Sequence, residues 1–136
     1  MNQRLKKIFD EDQEDCLNQP RDGSPDHVLF RQRIRDRIIK VQTILEENKQ
    51  LSGENYFHAC IVLIHGDDLQ DFWQAYQAGL KSVELGHTDS RKFTAAAYDK
   101  WLMYQGKQDR TPNECKNEHI FSTCPRANKS IGIEAF

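Results

Sequence analysis

The apolar positions of the chain recur at helical spacing in about five segments. The most apolar block lies between residues 56 and 106, where two polar corners separate three apolar segments that hold both tryptophans. Apolar residues three and four positions apart form one face of an α-helix. The pattern therefore predicts an all-α, single-domain orthogonal bundle of about five helices, with the segment 56–64 at its centre.

Two helices are predicted before this block. An apolar stripe that also includes an acid and a thiol marks the first of them: Leu5, Ile8, Phe9, Asp12 and Cys16. Ser24 followed by Pro25 is typical of a helix N-cap with proline in the first turn. The second helix should therefore begin near Asp26 and continue to about Gln50.

The central segment 56–64 has two interpretations. The residues 61–64 are short, apolar and rich in β-branched side chains, which also fits a buried strand. We prefer a helix, because the neighbouring apolar periods are close to 3.6 and no second strand is visible to pair with this one. Asp67 followed by Gln70 has capping-box spacing, which predicts that Asp67 caps the next helix.

Glycine and proline mark the later boundaries. Gly86 is placed to end the fourth helix in a left-handed conformation, and Gly106 is expected to stop the fifth. Beyond it, Pro112 and Pro125 interrupt a polar stretch without sustained helical periodicity. The sequence thus predicts a helical domain at 1–106 and an irregular, poorly ordered C-terminal tail at 107–136.

Charge argues against polyanionic partners. The net charge is -2, and Arg31, Arg33, Arg35 and Arg37 alternate along the second helix, which spreads them around its circumference. We interpret them as a solvated face that pairs with Asp36 and with the acidic first helix, so nucleic-acid binding is disfavoured. The longest apolar run is too short to cross a bilayer and the N-terminal residues lack an apolar signal core, which predicts a cytoplasmic protein without membrane contact.

The four cysteines do not form a recognisable framework. They are widely spaced, which favours reduced thiols, and Cys60 lies in an apolar run as expected of a small buried side chain. Cys115, His119 and Cys124 could contribute to a zinc site, but no CxxC pair occurs and a fourth ligand would have to come from elsewhere. We therefore predict no metal and no cofactor. Hydrolase, zinc-protease and nucleotide-binding motifs are also missing from the sequence.

Histidine and aspartate supply the candidate chemistry. His65 lies close in sequence to Asp68, and a carboxylate beside an imidazole sets its tautomer and raises its basicity. His58 lies seven residues earlier and is more simply a core histidine than a metal ligand. Asp99 sits among alanines and aromatic residues, where a carboxylate needs a partner such as Arg37 or a ligand.

The segment from His65 to Gln108 resembles a bacterial family of unassigned function. The resemblance is carried by short motifs at these positions: Asp12, Gln13, His65, Asp68, Tyr98, Asp99, Gln105, Gly106 and Gln108. This chain departs from the family at Ile64, at Lys100 and at residues 109–112, where the family's Tyr-Gly-Thr-Gln ending is not retained. The resemblance implies shared polar positions and supplies no reaction.

We predict that these positions line one polar pocket for a small polar ligand. His65, Asp68 and Asp99 are the candidate catalytic groups, and the candidate ligand-binding residues are Asp12, Gln13, Tyr98, Gln105 and Gln108. The alternative is a helical protein-protein interaction module without catalysis, which would use Trp73 or Trp101 if either ring is exposed. No pattern in the chain sets an oligomeric state.

Overall fold

Five α-helices make up the part of the chain that the structure, a computed structural model, describes, namely residues 2–48 and 50–109. They are α1 Gln3–Leu17, α2 Pro25–Glu47, α3 Gly53–Ile64, α4 Leu69–Glu84 and α5 Arg91–Asp109, with a 3₁₀ turn Thr88–Ser90 before α5. No strand occurs among the described residues. The predicted all-α class is confirmed, and none of these helices is both long enough and apolar enough to cross a lipid bilayer.

Helix α3 is the centre of the bundle. Its residues from His58 to Ile64 are all buried, and it packs against each of the other four helices. Its start is defined locally, because the Ser52 side chain accepts from the Asn55 amide at 3.1 Å and Asn55 Oδ1 accepts in return from the Ser52 amide. The helical interpretation of this segment is confirmed and the strand alternative is wrong.

Helix α2 begins as the sequence predicts. Ser24 accepts from the His27 amide at 3.1 Å, and Pro25 takes the first helical position, where its missing N–H costs no hydrogen bond. The helix ends at Glu47, three residues before the predicted limit.

Two predicted boundaries need correction. Asp68, and not Asp67, caps α4, because its side chain accepts from the Asp71 amide at 2.9 Å. Gly86 does end α4 in the left-handed region, with φ of +99°. Helix α5, however, continues through Gly106 to Asp109, since a glycine inside a helix costs only about 1 kcal/mol. The rest of the predicted tail, residues 110–136, lies outside the described residues.

Helix α5 packs chiefly against α4. The closest approach is at Gly79, where a Cβ would overlap Thr94 of α5. Beside it an aromatic seam consists of Tyr76, Tyr98, Trp73 and Trp101, in which the two tryptophan rings lie 4.8 Å apart. The contact of α5 with α3 is much smaller.

His58 is a core histidine, as expected. It is 3% exposed, it stacks on Phe9 with ring centroids 4.4 Å apart, and its buried Nδ1 has no hydrogen-bond partner. The nearest acid is Glu54, at 3.9 Å from Nε2. Burial lowers the pKa of the imidazole below its ordinary value, because the charged form is poorly solvated there.

This burial predicts a loss of stability in mild acid. The unfolded chain takes up the His58 proton more readily than the folded chain, so the contribution of neutral His58 is complete above the ordinary histidine pKa of about 6.5 and is lost as the pH falls below it. Urea unfolding of the wild type and of His58→Leu between about pH 8 and pH 5 measures this. The wild type is expected to lose stability relative to the variant as the pH falls; parallel curves would contradict the assignment.

Candidate functional site

A buried carboxylate lies where three helices meet. Asp12 continues the apolar stripe of α1 and is 0% exposed. An unpaired carboxylate in this position would lower the free energy of unfolding by roughly several kcal/mol. Its Oδ1 accepts from Arg37 Nε of α2 at 3.2 Å, and its Oδ2 lies 2.7 Å from Nδ1 of His65 at the end of α3. Asp12 therefore joins α1 to both α2 and α3.

His65 is held in one orientation at the surface end of this contact. It is the C-cap of α3, and its side chain is 29% exposed. An ionised carboxylate only accepts hydrogen bonds, so the proton between the two groups belongs on Nδ1. Neutral His65 then carries its lone pair on Nε2, to which no described residue makes a hydrogen bond. The result is an oriented imidazole with a free basic nitrogen.

Arginines from α2 complete the network behind Asp12. Arg37 is 7% exposed, and its Nη2 forms an ion pair with Asp15 at 2.9 Å but is not aligned for a hydrogen bond. Asp15 accepts two hydrogen bonds from Arg33, at 2.8 and 2.9 Å. The Arg33 hydrogen bonds, with a smaller effect of Arg37, lower the pKa of the Asp15 carboxyl against the opposing effect of burial. The predicted pairing with the acidic first helix is confirmed for Arg33 and Arg37. The predicted solvated face is wrong for Arg37, which is buried, and Arg37 does not pair with Asp99.

Cys16 lies next to the same imidazole nitrogen. Its Sγ is 3.8 Å from Nδ1 of His65, the atom that already faces Asp12. A cysteine-histidine-aspartate relay requires the thiol and the carboxylate on opposite ring nitrogens. Burial, followed by the charge of Asp12, raises the pKa of the Cys16 thiol. Cys16 is therefore a neutral thiol and not an activated nucleophile.

A second ionic cluster occupies the α3–α4 corner. Arg35 donates to Asp71 at 2.6 and 3.2 Å and to Asp67 at 2.8 Å, and Asp71 is 1% exposed. A Cβ at Gly66 would overlap the Asp71 carboxylate, which explains the glycine there. Asp68 caps α4 beside this cluster. Its role is structural, and it makes no hydrogen bond or ion pair with His65 among the described residues.

The remaining predicted site residues whose side chains the structure describes do not join His65 either. Asp99 is half-buried on α5, where burial raises the pKa of its carboxyl, and it pairs with no other described residue. Tyr98 belongs to the aromatic seam, with its ring 5.1 Å from that of Tyr76. Gln13 is exposed on α1, and Gln105 is half-buried on α5. Gln108 also belongs to α5, and its side chain lies outside the described part of the chain.

Two surface clefts are lined by residues other than the predicted site residues. A cleft of about 550 Å³ lies around Phe57 and Phe93, and one of about 320 Å³ lies around Tyr56, Gln42 and Gln74. In the second, Gln42 donates to Gln74 at 2.6 Å. Neither lining includes Asp12 or His65. Among the predicted site residues with described side chains, the structure brings together Asp12 and His65.

Comparison with known proteins adds no assignment. The chain matches no protein-family model, no curated protein and no solved structure. The resemblance to a bacterial family therefore stays a prediction.

Two members of the observed site, Cys16 and Arg37, were not among the predicted site residues. The spacing of four between Asp12 and Cys16, which puts both on one helix face, was the signal for Cys16.

Proposed function

We propose that the Asp12–His65 pair binds a small polar ligand and that His65 acts on it as an acid or base through Nε2. The observation that carries this proposal is the 2.7 Å contact between a fully buried carboxylate and a partly exposed imidazole. A carboxylate in that position fixes the histidine tautomer and leaves the outer nitrogen available. Such pairs are a usual means of proton transfer in enzymes.

The surrounding residues favour proton transfer over nucleophilic chemistry. Arg37 engages the inner oxygen of Asp12, so the carboxylate is held with its other oxygen towards His65. When Nε2 takes a proton, the imidazolium is stabilised by that adjacent negative charge. Cys16 shares Nδ1 with Asp12 and is therefore not activated by the same histidine.

The class of ligand follows from this chemistry. A molecule with a hydroxyl, an amine or an acidic C–H could exchange a proton with Nε2. In this proposal the ligand is a small polar metabolite of the bacterial cytoplasm, in line with the family resemblance.

A thermal-shift screen of the full chain tests the proposal. The panel contains amino acids, sugars, nucleosides and small carboxylic acids, each added to the wild type, to His65→Gln and to His27→Gln. Glutamine at 65 is polar and of similar size but has no basic nitrogen. A ligand at one hundred times its Kd adds about 2.7 kcal/mol, which raises Tm by roughly 5 °C or more.

His27 is the matched control, because it also pairs with an aspartate, Asp22, at 3.0 Å, but that aspartate is 86% exposed. The expected hit stabilises the wild type and His27→Gln and has no effect on His65→Gln. A panel in which every stabilising compound acts equally on His65→Gln would contradict the proposal.

A second candidate function is an interaction module built on the aromatic seam. Trp73 is 38% exposed and lies 4.8 Å from Trp101, so an aromatic side chain of the kind enriched at interfaces is partly open to solvent. Under this alternative, acrylamide quenches the tryptophan emission of the full chain efficiently. Emission that is shielded from acrylamide, together with a monomer in light scattering, would remove its basis.

A further inference from the structure

Three side chains of different donor chemistry converge at the end of α3. Asp12 and Cys16 are four residues apart on α1 and therefore lie on one face of that helix, and His65 faces them from α3. One ligand atom of each, a carboxylate oxygen, Sγ and a ring nitrogen, lies within 4.8 Å of the other two. We infer that Asp12, Cys16 and His65 form a binding site for a divalent transition-metal ion, represented by Zn²⁺.

The distances from Nδ1 of His65 to the other two ligand atoms are close to those of a tetrahedral zinc site. Zinc bonds of about 2.0 Å to oxygen and nitrogen and about 2.3 Å to sulfur place oxygen and nitrogen about 3.3 Å apart, and sulfur and nitrogen about 3.5 Å apart. The corresponding distances here are 2.7 Å and 3.8 Å. Binding therefore requires the carboxylate oxygen to move away from Nδ1 by about 0.6 Å and the sulfur to move towards it by about 0.3 Å.

The donor set selects the class of ion. Calcium and magnesium prefer oxygen ligands, whereas a set of one thiolate, one imidazole and one carboxylate suits Zn²⁺ or Co²⁺. Three protein ligands leave a fourth position for water or another small ligand, as in catalytic rather than structural zinc sites. His65 and Cys16 are both partly exposed, so this position is accessible from solvent.

Arg37 supports the carboxylate ligand from behind. Its Nε donates to Oδ1 of Asp12 at 3.2 Å, which leaves Oδ2 for the ion. Metal-ligating carboxylates are commonly oriented by such outer hydrogen bonds. Charge also balances, because one carboxylate and one thiolate together neutralise a divalent ion. Cys16 releases its thiol proton to solvent on binding, and neutral His65 transfers its proton from Nδ1 to Nε2 through solvent.

This inference does not rest on the proposed acid-base function. The ion takes Nδ1 and leaves a proton on Nε2, whereas acid-base catalysis uses Nε2 with the proton on Nδ1. The metal-bound and metal-free proteins are thus separate states of one site. Direct measurement of metal binding tests the first state without any organic ligand.

The experiment titrates the reduced, metal-free full chain with Zn²⁺ in competition with a chromogenic chelator, and with Co²⁺ followed by absorption. The site variants are Cys16→Ser and His65→Gln. One control is Cys60→Ser, since Cys60 is fully buried and burial raises the pKa of its thiol to about 12. The second is Cys115→Ser with Cys124→Ser, which tests the sequence around His119 that lies outside the described residues.

The expected result is one ion bound by the wild type and by both controls, with affinity reduced at least tenfold in Cys16→Ser and in His65→Gln. The wild-type Co²⁺ complex should show thiolate-to-metal charge-transfer absorption, and Cys16→Ser should lose it. Failure of the wild type to bind Zn²⁺, or binding that survives Cys16→Ser and disappears in the Cys115/Cys124 control, would overturn the inference. Circular dichroism establishes that each variant is folded, and a Co²⁺ charge-transfer band in the Cys115→Ser, Cys124→Ser protein assigns the thiolate without any change to the proposed ligands.

Discussion

Replacement of Asp12 by alanine is expected to lower the free energy of unfolding by about 3 kcal/mol. Arg37 is 7% exposed, and loss of Asp12 leaves its Nε without an acceptor in the core. Nη2 of Arg37 keeps its ion pair with Asp15 at 2.9 Å. The expected loss of stability therefore lies at the lower end of the range for broken buried ion pairs. Urea unfolding at neutral pH, with the slope m compared between proteins, measures the loss.

A double variant separates the charge effect from packing. Asp12→Leu with Arg37→Met replaces the buried pair by apolar side chains, and Asp15 keeps its two bonds from Arg33. Because desolvation of both charges is then avoided, stability should return to within about 1 kcal/mol of the wild type or exceed it. A loss below about 1 kcal/mol in Asp12→Ala would show that Asp15 alone satisfies Arg37.

The Asp12→Leu, Arg37→Met double variant also tests the candidate site. A double variant that is as stable as the wild type but lacks Asp12 has lost the group that orients His65. Any ligand effect or metal affinity lost in that protein can then be assigned to the removal of Asp12 and its partner Arg37 and not to unfolding. This makes the double variant the most informative background for both proposals.

Replacement of Gly79 by valine is expected to lower the free energy of unfolding by about 3 kcal/mol. A side chain at 79 meets Thr94 across the α4–α5 interface, where the Thr94 Cβ would be 3.0 Å and its Cα 3.2 Å from the new Cβ. The backbone of α5 would have to move away, and the aromatic seam beside it would separate. Chemical unfolding measures the loss, and near-ultraviolet circular dichroism reports the tryptophan environment.

Thr94→Ala provides the matched test of this contact. It removes the hydroxyl that the new side chain meets first and leaves the Cβ and Cα of residue 94 in place. The Gly79→Val, Thr94→Ala double variant should therefore recover part of the loss, so that the two changes are not additive. Strict additivity would mean that the cost of Gly79→Val arises within α4 and not at the interface.

Local rules determined most of the secondary structure from the sequence. Ser24 with Pro25 set the start of α2, and Gly86 set the end of α4, because caps and left-handed turns depend only on neighbouring residues. The prediction that Asp67 caps α4 is wrong, because Asp68 is the cap. Both carboxylates are suitably placed in sequence, and only the position of Arg35, which draws Asp67 away, distinguishes them.

The candidate site depended on tertiary structure. The sequence by itself placed Asp12 on the apolar stripe of α1 and His65 at the end of α3, and the family resemblance put both among the candidate residues. It could not show that their side chains meet at 2.7 Å, nor that Arg37 and Cys16 join them while Asp68 and Asp99 do not. The periodicity of a helix determines which face a residue occupies, whereas the neighbour that this face meets depends on how separate helices pack.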